Sequence, residues 1–134
     1  MFGYDNVHTE VLVIADPQGD GTFPIWKAPT RNAKVEILEA WASVDTAVTG
    51  DAGTAFTLRL LDYGAAGTAV GGTISATLGA AGTGDWAANT PRDFTITEGT
   101  LDGGDYLCLS YVEDGTIAPA NISVGFSWVS GVGA

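Results

Sequence analysis

The feature that most constrains this chain is a pair of alternating runs, Asp105 to Val112 and Asn121 to Val129. A period of two marks a pleated strand, because successive side chains then point to opposite faces. In the second run Ile122, Val124, Phe126 and Trp128 share one face, and Ser123, Gly125 and Ser127 share the other. The first face is expected in a core, while the second can be wet or covered by a partner. In the first run both faces are apolar, with Tyr106, Cys108, Ser110 and Val112 opposed to Leu107, Leu109 and Tyr111. Such a strand is expected at the centre of a sheet, buried on both sides. The polar stretch between the runs reads as a turn region, so the two are expected to form a hairpin.

The rest of the chain follows the same grammar. Residues 1 to 7 carry Phe2 and Tyr4 without a pattern, as an arm that orders only when something holds it. His8 to Ala15 reads as a strand that stops at the Pro and Gly of DPQGDG. Phe23 to Pro29 is extended with prolines near both ends, as in an edge strand or a loop lying across a sandwich. Ala33 to Asp45 fits two periods: Val35, Leu38, Trp41 and Ala42 make a helical stripe, while the abundance of Val, Ile and Trp favours a long strand. Thr54 to Tyr63 alternates as a strand, the Gly/Ala/Thr-rich stretch from Gly64 to Gly84 holds one strand at Thr73 to Leu78, and Asp93 to Thr97 is a short one. Short strands separated by Gly, Asp, Asn and Pro turns predict an all-β, antiparallel β-sandwich or jelly roll. The expected organisation is an N-terminal arm, 1–7, and a single sandwich domain, 8–134.

Charge narrows the partners. Five Lys and Arg stand against 16 Asp and Glu in 134 residues, a formal charge of −11. Such a surface repels phosphate backbones, so nucleic acid is not expected as a partner. No window has the ~18 to 20 consecutive apolar residues of a membrane span, and no membrane partner is expected. The first ten residues lack the basic start and apolar run of a secretory signal, so synthesis in a soluble compartment is expected, with exit only as part of a particle. The single cysteine, Cys108, excludes an intramolecular disulfide and reads as a small buried hydrophobe.

The inventory for catalysis is thin. His8 is the one histidine and stands at the start of a strand; the carboxylate pairs Glu36 with Glu39 and Glu98 with Asp102 read as solvated. No enzyme is expected. Asp16, Gln18 and Asp20 alternate before Gly21 like the first half of a calcium loop, but Lys27 stands where a bidentate acid would close an EF-hand. No cofactor is therefore expected, with calcium a weak candidate and a plain turn the simpler reading. Trp41 and Trp128 lie in alternating runs and are expected in the core. Trp26 and Trp86 lie in Pro- and Gly-rich loops, where they are expected to meet something outside, a protein surface or a sugar ring.

The run L-x-x-G-D-Y-L-x-L-x-Y from Leu101 to Tyr111, followed by I-S-V-x-F-x-W from Ile122 to Trp128, resembles the decoration or cement proteins of tailed-phage heads. The motif covers the C-terminal third; elsewhere the resemblance is one of composition. It implies a non-enzymatic virion protein, often a homotrimer, made in the host cytoplasm. Such a protein sits on the outer capsid surface at junctions between major capsid proteins and stabilises the shell. Phe2, Tyr4, Trp26 and Trp86 are the candidate contacts to capsid or neighbouring subunits on this reading. A carbohydrate- or receptor-binding module of tail-fibre type is the alternative.

Overall fold

The structure, a computed structural model, describes residues 7–15, 19–31, 34–48, 55–65, 72–79, 86–114 and 121–130. Every regular element among them is a strand: β1 (His8–Ile14), β2 (Gly21–Lys27), β3 (Lys34–Val44), β4 (Ala55–Asp62), β5 (Gly72–Thr73), β6 (Leu78–Gly79), β7 (Arg92–Asp93), β8 (Thr100–Asp102), β9 (Tyr106–Asp114) and β10 (Ile122–Ser130). They form two antiparallel sheets. The first runs β1-β10-β3-β7, with β8 also on β3; the second runs β2-β9-β4-β5, with β6 also on β4. The first strand thus neighbours the tenth and the second neighbours the ninth. This nesting is the jelly-roll arrangement of an all-β sandwich.

The expected hairpin of the two C-terminal runs does not form. β9 lies between β2 and β4, whereas β10 lies between β1 and β3 in the other sheet. Alternation reports which side chains share a face and is silent about which strand lies alongside. The central position of β9 is as expected, but its outer face is only partly covered: Tyr106 and Ser110 are half-buried and Val112 is 48% exposed.

β3 explains why its sequence fitted two periods. It is a strand, and its register on β10 slips beside Leu38, so that Glu39 faces Ser127 and Ile37 faces Trp128. Val35 and Ile37 point into the core before the bulge, and Ala40, Ala42 and Val44 point in after it. One extra residue reverses the phase of the alternation and leaves a 3-residue step that mimics a helical stripe.

The core lies between the sheets. From β9 and β4 come Leu107, Leu109, Tyr111, Phe56, Leu58 and Leu60, and from β3 and β10 come Val35, Ile37, Ile122, Val124 and Phe126, all at most 1% exposed. Burying one such side chain is worth about 1.5–3 kcal/mol. One side of the sandwich is stitched by main chain: Ala76 N donates to Thr95 O at 2.9 Å, and Thr97 N donates to Ile74 O at 2.9 Å. The buried hydroxyl of Ser75 accepts from Leu60 N and donates to Ala76 O. This interruption is why the small-residue segment gives two very short strands where one from Thr73 to Leu78 was expected.

Candidate interaction surface

Phe2 and Tyr4, with Asp16 and Gln18, lie outside the described residues. Of the calcium candidates Asp20 is placed, and its Oδ1 accepts a hydrogen bond from Glu113 N at 2.8 Å. That bond ties the β1–β2 connection to the end of β9. Among the described residues no three His, Cys, Asp or Glu side chains gather as a metal site, and no helix is long and apolar enough to cross a membrane.

The tryptophans sort differently from the expectation. Trp86 is 1% exposed, so it is a core residue and not a surface contact. Main-chain bonds in both directions with Val48 hold its loop, its Nε1 donates to Thr90 O at 2.7 Å, and its ring stacks on Phe56. The Arg92 guanidinium carbon lies over the indole, 4.9 Å from the ring centroid. The Gly-rich sequence around Trp86 signals a loop, but Trp86 itself turns inward, since its main chain pairs with Val48 and its Nε1 finds Thr90 O. Trp26 is half-buried against Phe126 and Trp128. A slip in the β2–β9 register beside Ile25 places it on the inner face, opposite Leu107.

Trp128 is in the core as expected. His8 stacks on it at 4.4 Å between centroids, and its Nε1 donates to Glu10 Oε2 at 3.1 Å. The histidine is thus an aromatic lid over Trp128. Trp41 is the reverse case. It points to the outer face of the first sheet, half-buried, because the bulge at Leu38 has already reversed the alternation.

This outer face includes Ser123, Gly125 and Ser127, which the alternation marks as wet or covered by a partner; what sequence reasoning missed is that Val11, Val13 and Trp41 join it. Three rows cross β1, β10 and β3: Thr9, Ser127 and Glu39; Val11, Gly125 and Trp41; Val13, Ser123 and Ser43. The first is polar, with the Ser127 hydroxyl 3.4 Å from both Thr9 Oγ1 and Glu39 Oε1. The other two are apolar or carry small hydroxyls. Val11 is 64% and Val13 59% exposed, and the Trp41 indole lies across Gly125 between them and β3. Valines alternating outward on an edge strand, with a glycine at the matching position of the neighbouring strand, were the available signal.

The carboxylates that do meet are Asp62 and Asp105, not the pairs singled out from the sequence. Asp105 is 9% exposed; burial first, and the neighbouring Asp62 second, push its carboxyl above the usual aspartate range. Its Oδ2 accepts from Asp102 N at 3.2 Å, and Asp62 Oδ1 accepts from Gly64 N at 2.9 Å. Both oxygens therefore hold turns together. Cys108 is buried, and burial followed by the charge of Asp62 raises its thiol pKa, which suits an inert core residue.

No family model and no curated protein matches the chain. Among solved structures it is similar to a chain of the cyanophage Pam1 capsid asymmetric unit, with a TM-score of 0.48 and 15% identity over 92% of this chain and 84% of that one. A chain of turnip yellow mosaic virus gives 0.42 and 10% identity, with 92% of each chain covered. A chain from the disulfide-linked pili of Bacillus endospore appendages gives 0.43 and 16%, over 92% of this chain and 87% of that one. Likeness at this level carries no argument about what this chain does.

Proposed function

We propose that the protein is a non-enzymatic structural component of a phage head. It binds the outer capsid surface at junctions between major capsid proteins, as a homo-oligomer, and stabilises the shell. The observation that carries this reading is the outer face of the first sheet, where Val11, Val13 and Trp41 stand exposed or half-exposed in a chain of charge −11. Apolar side chains held on a flat sheet face, rimmed by Glu39 and small hydroxyls, suit burial against another protein. The motifs from Leu101 to Tyr111 and from Ile122 to Trp128 support the choice of shell as partner, since they carry the resemblance to decoration proteins. The trimer belongs to that resemblance. Phe2, Tyr4 and Trp26 remain contact candidates. No cofactor enters this role.

The test is co-sedimentation with shells assembled from the major capsid protein alone, together with the melting temperature of the decorated shells. Trp41→Ala and Ser43→Lys are expected to reduce occupancy at least tenfold, and the bound wild type is expected to raise shell melting. Unchanged occupancy in both variants sinks the docking face, and deletion of 1–7 with full occupancy removes the arm.

One observation favours a second reading. The Trp41 indole sits over Gly125 with Ser43 and Ser123 in the neighbouring row, an arrangement on which a sugar ring could stack. Tryptophan fluorescence that shifts on a glycan panel, and no longer shifts in Trp41→Ala, would select the carbohydrate-binding module.

A further inference from the structure

The two sheets end differently at their β1 and β2 edges. β2 carries the devices that discourage a further strand: Pro24 lacks a donor, the register slips beside Ile25, and Lys27 closes the strand. β1 has none of them. Its seven residues, HTEVLVI, pair with β10 in unbroken register, with no Pro and no Lys. Its carboxylate, Glu10, turns back to the indole of Trp128. Among the described residues no strand lies beyond it, and no main-chain hydrogen bond outside the β1–β10 ladder reaches it.

We propose that this edge is a self-association site. β1 pairs antiparallel with β1 of a second copy about a twofold axis at Val11, merging the two first sheets into one continuous sheet.

The strand is its own complement in that register. Val11 is the midpoint of His8–Ile14, so all seven residues pair: Val11 with Val11, Glu10 with Leu12, Thr9 with Val13, and His8 with Ile14. No two carboxylates face each other, which matters in a chain of charge −11. Moving the axis one residue to Glu10 would set carboxylate against carboxylate and cut the overlap, both unfavourable. On the outer face the Val11 and Val13 of one copy continue into those of the other, covering part of the side chains that are 64% and 59% exposed in one chain. The contact is isologous, so each copy uses its open edge once and growth stops at two. Two copies is a different number from the three of the decoration-protein resemblance. The edge contact also leaves the Trp41 region of the face free, so a dimer presents it twice.

The test uses the isolated protein without shells. Light scattering over a concentration series is expected to rise from the 13.7 kDa of one chain to twice that mass. Val11→Lys places two ammonium groups opposite each other and is expected to hold the protein monomeric, while Val112→Lys, on the other sheet, leaves the dimer intact. Single cysteines give the register: Val11→Cys is expected to cross-link to a covalent dimer under mild oxidation. Thr9→Cys or Val13→Cys should fail to do so alone and succeed when mixed. The buried native Cys108 stays out of this chemistry. A monomer at every concentration, a trimer, a dimer that Val11→Lys leaves intact, or cross-linking strongest at another position overturns the proposal. Shell occupancy is read separately through Ser43→Lys, so the docking face and the edge contact stand or fall independently.

Discussion

The indole of Trp41 occupies the space that a side chain at residue 125 would need: a Cβ on Gly125 would overlap its Cε2, Cζ2 and Nε1 atoms. The glycine is therefore the seat of the ring, and the pair sets the shape of the outer face of the first sheet. Gly125→Ala is expected to lift the indole from the sheet at a cost of about 1–3 kcal/mol. In a Trp41→Ala background the same change should cost far less. Denaturation midpoints of the two single variants and the double variant measure this coupling, and additive effects would show that the ring does not depend on the seat.

Trp86 is expected to be a stability residue. It is buried, stacked 5.6 Å from Phe56 and hydrogen-bonded through its Nε1. Truncation to Ala should cost about 3–5 kcal/mol. A loss under about 1 kcal/mol in chemical denaturation, paired with lost shell binding, would return Trp86 to the surface role expected from its loop-like sequence.

Asp105 gives a pH dependence with a definite sign. Its folded-state pKa lies above the ordinary aspartate value of 3.8, with burial as the main cause and Asp62 next. The folded chain then holds that proton more tightly than the unfolded one. The stability linked to it is present at low pH and is lost as pH rises from about 3.8 through the folded value. Asp105→Asn keeps an oxygen for Asp102 N and carries no charge. It should melt higher than wild type at pH 7, with the gain shrinking as the pH falls toward 3.8. A variant that melts lower at every pH would mean that the carboxylate is needed for its hydrogen bonds.

Asp20 separates a turn role from a metal role. Its bond to Glu113 N predicts that Asp20→Ala loses about 1 kcal/mol, in calcium and in chelator alike. Should the loss appear only with calcium present, the turn account fails and Asp16, Gln18 and Asp20 act together on a cation.

How much of this was legible before the fold was known depends on what each signal measures. Alternation located β1, β3, β4, β9 and β10, and it gave the core face of β10, because burial itself has period two. It could not say that β9 and β10 belong to different sheets, since pairing partners are chosen by the whole topology. The reversal at Leu38 hid the outward turn of Trp41: one bulged residue moves every later side chain to the opposite face. Trp86 was misplaced because Gly and Asp mark a loop without telling whether that loop packs inward. The Asp62 and Asp105 pair was invisible because the two positions lie 43 apart in the sequence.

The place of β10 has a consequence for the order of assembly. It is the strand that joins β1 to β3, so β1 has no described neighbour in its sheet until residues 122–130 have been made. During synthesis β1, with its two valines, must wait without that neighbour until residues 122–130 emerge. Folding of the first sheet is thereby a late and non-local event, slow in the manner of chains whose paired strands lie far apart in sequence. A ribosome stalled before Ile122 should hold a chain in which His8–Ile14 is still open to protease.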